Sequence, residues 1–498
     1  MKKITLYIGL VIAGTLLFNS CGKDFLEVTP TGKSLESNYY KNESELMSGL
    51  VAAYDALGKE IENNKYSSRV GMLNCASDEC YAGGGDASDI PDWQAWSNFS
   101  IDAGIGPQGQ FWDRSYKGIF RVNVLLTKID GVPDLSASKK ARITAEAKFI
   151  RAYFYFDLVR LFKNVPLILN PLGAAEMFNV TQATPEVVYA QIEQDLKDAI
   201  PDLPETVPSD ELGRVTKMAA TAYLGKVILF QNNESRMQEA ANYFEQVNTS
   251  PNYELLSDYG TIFRPDNKFN KESLFEISHT SLANEYWGGY SNLSEGNVWV
   301  QMIGPRGYVG PTYKEGYGFN TITLDFVNFI KGDPRYRYTV SNIDSLQKAG
   351  VATYIPGHNN TGYFMQKYAP LIEFYSTGGG DLVLNYPYNV IEMRLADTYL
   401  MEAEALVRGG GDLNKAQHYL DMVRQRVGLA SVPATLENIY KERRLELATE
   451  GHRFFDLVRT GQAANALAFK NFTAGKNEIL PIPLAELANT KMVQNPNY

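Results

Sequence analysis

Two stretches of the sequence share a pattern of paired helices, and this pattern restricts the fold more than any other feature. The first runs from Ala219–Lys226 through a turn to Ala240–Phe244. The second runs from Leu400–Ala405 through Gly409–Gly411 to Ala416–Leu420. In both, small residues recur where two antiparallel helices would approach most closely, with larger side chains beside them. Such pairs stack on one another and bury a shared core.

Most of the remaining chain is also typical of helices. Apolar residues repeat at steps of three and four along one long helix, at Ile143, Ala147, Ile150, Phe154, Leu158 and Leu161. Pro166 ends that helix, since the residue before a proline avoids the helical conformation. Further helices are predicted at about 43–62, 114–130, 184–199, 214–231, 236–248, 388–408, 413–427, 434–450 and 483–489. The fold class is therefore mainly α, a tetratricopeptide-like scaffold of helix pairs with little β structure.

Two long segments interrupt the helical pattern. Residues 72–110 and 278–386 are rich in Gly, Tyr, Asn, Pro and Trp. Long loops within a compact domain are usually functional or disordered. The aromatic content argues against disorder, so these excursions are the expected place for a binding site.

The start of the chain indicates export. Met1–Lys3 is basic, Ile4–Phe18 is apolar and uncharged, and Ser20-Cys21 follows. The apolar run is too short to span a bilayer, which takes about 20 residues. The segment has the outline of a signal peptide, and cysteine at the cleavage point resembles a bacterial lipobox. We therefore expect residues 1–20 to be removed and Cys21 to carry a lipid that anchors the protein.

Composition excludes several classes of function. Lys2 and Lys3 belong to the leader, so the rest of the chain has 45 basic and 57 acidic side chains, a net charge of −12. An acidic chain without a basic cluster is a poor nucleic-acid binder. The four histidines are scattered, and no transition-metal site is predicted. Cys75 and Cys80 could form a short disulfide loop or remain two buried thiols.

An acidic loop leaves one further possibility open. It contains Asp78, Glu79, Asp86, Asp89 and Asp92. Oxygen ligands on a flexible loop could hold Ca²⁺, but the spacing matches no EF-hand. A solvated acidic loop is the alternative, and no cofactor is expected.

Motifs spread along nearly the whole chain resemble the SusD/RagB family of outer-membrane lipoproteins from Bacteroidetes. These motifs are Cys21–Glu27, Ala145–Arg160 with Val165-Pro166, Gly213–Lys217, Arg394–Ala405, Glu442-Arg443, Glu450–Leu457, Leu480–Pro483 and Gln494–Tyr498. Each is weak alone, but their order is specific. The ending Asn495–Tyr498 has Asn where the family more often has Gly.

The resemblance implies a fold, a location and a function. Family members bind a nutrient, usually a glycan, at the cell surface and lie as a lid on a SusC-like TonB-dependent transporter. The implied location is the outer membrane, facing the exterior through a lipid anchor. The expected organisation is a signal peptide, 1–20, and one SusD-like domain, 21–498. Its helical scaffold would cover about 40–70, 111–275 and 388–498, with ligand-binding excursions at about 72–110 and 278–386.

The carboxylates of one predicted helix are compatible with a catalytic function. Glu442, Glu446 and Glu450 lie on one helix face, where two of them could act as the acid and base of a glycosidase. The alternative is a structural ion-pair network with Arg443, Arg444, Arg453 and Arg459. The resemblance favours the network, and we expect no enzyme activity.

Loop aromatics are the candidate ligand contacts. A ring can stack on the C–H face of a sugar while neighbouring polar groups bind its hydroxyls. The candidates are Trp93, Trp96, Asn98, Tyr286, Trp287, Tyr290 and Trp299. Packing inside the loops is the alternative for each tryptophan. The leading hypothesis is non-catalytic capture of an oligosaccharide or polysaccharide. A peptide-binding lid of the same family and a surface glycoside hydrolase are the other two hypotheses.

Overall fold

The computed structural model describes residues 39–62, 65–283, 285–287, 295–375 and 379–498. Within these ranges the chain forms nineteen α-helices. In chain order they are α1 (Glu43–Asp55), α2 (Arg69–Cys75), α3 (Pro91–Ser97), α4 (Gln108–Lys128), α5 (Ala137–Phe162), α6 (Ala174–Met177), α7 (Pro185–Ala199), α8 (Lys217–Phe230), α9 (Met237–Asn248), α10 (Val298–Ile303), α11 (Leu324–Ile330), α12 (Tyr336–Thr339), α13 (Ile343–Lys348), α14 (Leu395–Arg408), α15 (Leu413–Arg426), α16 (Leu436–Glu446), α17 (Arg453–Arg459), α18 (Ala463–Ala466) and α19 (Leu484–Asn489).

The scaffold is a stack of antiparallel helix pairs. Helices α8 and α9 pack together, as do α14 and α15, and α9 also packs against α14. On the other side, α7 joins α8 to α5, and α5 packs on α4. Small residues permit these contacts: a Cβ at Gly225 would lie 2.9 Å from the ring of Phe244. The predicted pairs and the mainly α fold class are confirmed.

A side-chain cap marks the start of one helix in each of the two predicted pairs. The Thr216 hydroxyl accepts a hydrogen bond from the Ala219 N–H at the start of α8. The Asp412 carboxylate accepts from two backbone N–H groups at the start of α15. Each cap satisfies donors that have no partner within the helix, and the Asp412 cap ends the turn between α14 and α15.

The strands are short and pair two by two among the described residues. They are β1 (Ile61–Glu62) with β2 (Lys65–Tyr66), β3 (Ser273–Ile277) with β6 (Val390–Arg394), and β4 (Val340–Asn342) with β5 (Tyr363–Met365), all antiparallel.

Three predicted helices are shorter than expected. The helix predicted at 43–62 ends at Asp55, and the one at 434–450 ends at Glu446. The helix predicted at 388–408 begins only at Leu395, because the preceding residues form β6 and pair with β3. Apolar residues of β6 are buried on both faces, and so short an apolar run does not distinguish a strand from a helix.

One continuous hydrophobic core joins the scaffold to the loops. It contains buried residues from Leu46 to Met492 and includes side chains of both loop excursions. A smaller cluster around Tyr308, Tyr313 and Tyr354 lies within the second excursion. No helix of the described residues is long and apolar enough to cross a membrane.

Candidate functional site

The two loop excursions form a single layer. The Tyr81 N–H donates to the Thr321 carbonyl at 2.9 Å, and the Asn320 N–H donates to the Ala82 carbonyl at 2.8 Å. A further pair of backbone contacts joins Gly83 to Phe319. Segments more than 230 positions apart in sequence therefore build one surface.

Three of the predicted ligand contacts are core residues. Trp93, Trp96 and Trp299 are each 0% exposed. Trp96 packs edge-on to Phe111 of α4 and Phe454 of α17, with centroids 5.5 and 5.4 Å away. The indole N–H of Trp299 donates to Asn320 Oδ1 at 2.8 Å. A ring with no exposed face cannot stack on a sugar, so the interpretation of these three as ligand contacts is corrected to loop packing.

The other predicted site residues are distributed differently. Tyr286 is 62% exposed, and Asn98 lies exposed at the C-terminus of α3. Trp287 is half-buried, and its backbone N–H donates to Asp381 Oδ2 at 2.7 Å. Tyr290 and the predicted lipidation site Cys21 lie outside the described residues.

Four half-buried rings are linked by shared packing and hydrogen bonds, and we call them the aromatic strip: Tyr66, Trp287, Tyr317 and Tyr375. Trp287 and Tyr66 pack against the same small apolar cluster of Ile61, Val298 and Leu384. The hydroxyl groups of Tyr66 and Tyr317 are hydrogen-bonded to each other. One end of the strip is thus held by shared packing and by a hydroxyl pair.

Buried polar groups hold the other end. The ring of Tyr375 lies 6.0 Å from that of Tyr386, which is 1% exposed. The Tyr386 hydroxyl donates to Gln301 Oε1 at 3.1 Å, and the Gln301 carbonyl accepts from the Tyr317 N–H at 3.0 Å. Tyr317 and Tyr375 are therefore fixed by a common support beneath the surface.

Charged groups flank the strip. Lys314 Nζ lies 4.1 Å from the centre of the Tyr375 ring, a cation–π distance. Burial, followed by the nearby Glu315 carboxylate, raises the pKa of both Tyr317 and Tyr375, so their hydroxyls remain protonated donors at neutral pH. The surface combines ring faces with hydroxyl, ammonium and carboxylate groups, which suits a ligand with both apolar faces and hydroxyls.

Sequence reasoning missed Tyr66, Tyr317 and Tyr375. The chain has five tryptophans but 31 tyrosines, so composition distinguishes a tryptophan far more readily than any one tyrosine. The burial of two tryptophans could have been predicted. Pro91 is a helix-start signal, and Trp93 and Trp96 are spaced by three, as on one face of a helix.

The carboxylates considered for catalysis are bound by cations. Arg394 Nη1 lies 2.6 Å from Glu446 Oε1, Arg335 Nη1 lies 2.7 Å from Glu442 Oε1, and Lys367 Nζ lies 2.8 Å from Glu450 Oε1. Burial alone would raise the pKa of Glu446, but Arg426, Arg394 and Arg335 hold it well below its usual range. A carboxyl held ionised and buried cannot donate a proton as a general acid.

The partners in this network differ from those predicted. Arg443, Arg444, Arg453 and Arg459 pair instead with aspartates and with Glu404. Glu442, Glu446 and Glu450 pair with cations from other parts of the chain. The sequence predicts that these carboxylates belong to an ion-pair network. It does not predict which residues pair, because the pairs depend on the tertiary fold.

Part of the acidic loop is buried, and so are both cysteines. Asp78 is buried and paired with Arg444 and Arg453, and Glu79 and Asp92 are buried as well, so the prediction of a wholly solvated loop is wrong at these three residues. No group of three or more metal-ligating side chains occurs among the residues that the structure describes. Cys75 and Cys80 are two free, buried thiols.

Comparisons with known proteins agree with this architecture. Residues 229–498 match the model of the SusD family, and residues 24–229 match a model described as "Starch-binding associating with outer membrane". A solved "Laminarin binding SusD-like protein" is 47% identical, with a TM-score of 0.88, covering 92% of this chain and all of that one.

Two further relatives extend the comparison. Surface glycan-binding protein A from Bacteroides thetaiotaomicron, solved in complex with laminarihexaose, is 28% identical with a TM-score of 0.85, covering 92% of this chain and all of that one. SusD-like protein P25 of Formosa agariphila is 25% identical over 535 residues, covering 96% of each chain.

Proposed function

The chain belongs to the SusD family, and from this membership we propose that it binds a glycan at the aromatic strip without chemically altering it. We further propose that it delivers the glycan to a SusC-like TonB-dependent outer-membrane transporter. The observation that carries the binding proposal is the strip itself, with four half-buried rings supported from below. The family predicted from the sequence motifs is confirmed.

A β-1,3-linked glucan is the ligand class that we propose. Laminarin is such a polymer, and the names of two similar solved structures refer to laminarin or its hexasaccharide. Starch, an α-linked glucan, is the alternative suggested by the family description that matches residues 24–229. Both polymers are neutral and present C–H faces, so linkage geometry would decide between them.

The strip suits capture of a chain along a surface. Each of the four side chains is partly exposed, and the tyrosine hydroxyls with Lys314 and Glu315 supply hydrogen-bonding groups beside the rings. Rings held by Gln301, Tyr386 and neighbouring packing lose little conformational freedom on binding, and this lowers the entropic cost of association.

Binding without hydrolysis is supported by the state of the carboxylates. Glycoside hydrolysis needs two carboxyl groups, one of them a proton donor. Glu442, Glu446 and Glu450 are buried and neutralised by arginine and lysine. They support the fold instead of facing a ligand.

We also propose the arrangement of the protein at the membrane. Removal of residues 1–20 would expose Cys21 for acylation, and the lipid would anchor one SusD-like domain, residues 21–498, on the outer membrane facing the exterior. The single continuous core supports one domain. One of the matching family models is itself described as associating with the outer membrane.

Calorimetric titration with hexasaccharides tests the binding proposal. An unlipidated Cys21→Ser protein is titrated with laminarihexaose and with maltohexaose, and each mixture is then assayed for new reducing ends. We expect binding of laminarihexaose, weaker or no binding of maltohexaose, and no release of reducing sugar. Absence of binding to either, or steady hydrolysis, would refute the proposal.

A further inference from the structure

Arg306 differs from the other arginines of the chain. The sequence contains 20 arginines, all within the described residues. Nineteen of them donate a hydrogen bond or form an ion pair. The half-buried Arg306 has neither with any residue that the structure describes. Since partial burial of an unpaired guanidinium costs free energy, its five donors are suited to an external ligand.

The guanidinium of Arg306 packs against the backbone of Gly85. A Cβ on Gly85 would lie 3.1, 3.2 and 3.3 Å from Nη1, Cζ and Nη2, so the flat group rests on the backbone where only glycine leaves room. The preceding Gly83 and Gly84 have φ of +74° and +92°, in the left-handed region that glycine tolerates. The conformation of this glycine loop therefore determines where the Arg306 guanidinium can lie.

Backbone hydrogen bonds hold this loop in position. The Gly84 N–H donates to the Gly318 carbonyl, and the Gly84 carbonyl accepts from the His358 N–H, both at 2.9 Å. The Gly85 N–H donates to Asp89 Oδ2 at 2.7 Å. Such anchoring leaves the patch preorganised for a ligand.

The surroundings of Arg306 favour a neutral ligand. Asp86 is exposed and lies near His358 and Arg306. Hydrogen bonds from Ser88, and then these two basic groups, lower the pKa of Asp86. One arginine and two loop carboxylates, Asp86 and Asp89, give no net positive charge, so an anion gains little here. Donor and acceptor groups together match the hydroxyls of a neutral sugar.

The patch is linked through the backbone to the aromatic strip. The Gly316 N–H donates to the Pro305 carbonyl and the Gly318 N–H to the Gly304 carbonyl, both at 2.9 Å. These bonds pair the segment that carries Arg306 with the segment that carries Tyr317. The strip and the patch are therefore carried by segments that are hydrogen-bonded to each other.

We propose that Arg306, with His358 and Asp86, is a second glycan-contact patch, in which the guanidinium donates to hydroxyl groups of the neutral glycan that the strip binds. This inference rests on the proposed function. The patch adds hydrogen-bonding contacts to the stacking contacts of the strip. Because the guanidinium is a planar fork of donors, a lysine at this position replaces its charge but not its geometry.

Titration of laminarihexaose into wild type and three variants tests the inference. The variants are Arg306→Ala, Arg306→Lys and the control Arg337→Ala, which removes an exposed arginine bonded to the Tyr338 hydroxyl. We expect Arg306→Ala to weaken binding about tenfold, the loss for one charge-assisted hydrogen bond. Arg306→Lys should bind more tightly than Arg306→Ala but more weakly than wild type, and Arg337→Ala should bind like wild type. The thermal midpoint should not fall, because the Arg306 side chain makes no hydrogen bond or ion pair with any described residue.

The outcomes separate this inference from the proposed function. If wild type binds the hexasaccharide and Arg306→Ala binds equally well, the second patch is refuted while glycan binding stands. If Arg306→Ala and Arg337→Ala weaken binding equally, the effect is a general loss of positive charge, and the patch is again refuted. If wild type binds neither laminarihexaose nor maltohexaose, both proposals are refuted.

Discussion

The ring of Trp96 lies edge-on to that of Phe454, with centroids 5.4 Å apart, and so fastens the first loop excursion to the helical scaffold. Trp96→Ala should lower the free energy of unfolding by about 3–5 kcal/mol, the usual cost of a large cavity in a core. Urea denaturation measures this change. Trp96→Phe, which retains a ring, should cost less. Unchanged stability with lost glycan binding would show that Trp96 contacts ligand.

The positions of the tryptophans in the structure show which features the sequence predicts and which it does not. Helix pairs were predicted well because their apolar periodicity is local. The contact between Gly83 and Phe319 is not local, and no spacing rule predicts that those segments meet. Without knowledge of this tertiary contact, the sequence does not distinguish the buried Trp299 from the half-buried Trp287.

The same limit applies to the candidate site. Tyr313 and Tyr317 are four residues apart, yet Tyr313 is buried in the small loop core and Tyr317 lies at the surface. The support of Tyr317 comes from Gln301 and Tyr66, which belong to separate segments. The region of the site could therefore be predicted, but its individual residues could not.

Arg394 is central to the buried ion network. Its guanidinium donates to Glu272, Glu446 and Glu450. Arg394→Met should cost about 3–5 kcal/mol, because it leaves buried carboxylates without their counter-charge. Lys139→Ala, at an exposed pair with Glu43, should cost less than about 1 kcal/mol. Equal midpoints of urea unfolding for the two variants would contradict this account of the network.

His279 should make stability depend on pH. Burial, followed by Lys268, lowers its pKa from 6.5 to about 3, so the folded state keeps the ring neutral. Below pH 6.5 the unfolded chain binds a proton that the folded chain does not, and stability therefore falls as pH falls. Between pH 7.5 and 5 this residue should remove about 2 kcal/mol.

The matched variant for this effect is His279→Gln. When the pH is lowered from 7.5 to 5, the unfolding free energy of wild type should fall by about 2 kcal/mol relative to that of the variant. Other titrating groups are common to both proteins and cancel in the comparison. A pH-independent difference would mean that His279 takes up its proton at the same pH in the folded and unfolded states, which contradicts the lowered pKa.

The two thiols should be inert in the folded protein. Burial raises the pKa of both Cys75 and Cys80, that of Cys75 to about 12, and the thiolate is the reactive form. In a Cys21→Ser protein, a maleimide should label neither thiol under native conditions and both in guanidinium. Rapid native labelling, or an intact mass lower by two hydrogens, would contradict the free buried thiols.

The aromatic strip is the centre of the proposed function, and the most direct measurement is the affinity of laminarihexaose for strip variants. Tyr317→Ala and Tyr375→Ala should each weaken binding by about tenfold or more without lowering the thermal midpoint markedly. The matched control is Phe120→Ala, which removes a 50% exposed ring on α4 of the scaffold and should leave affinity unchanged. Wild-type affinity in both tyrosine variants, or an equal loss in Phe120→Ala, would contradict glycan capture by the strip.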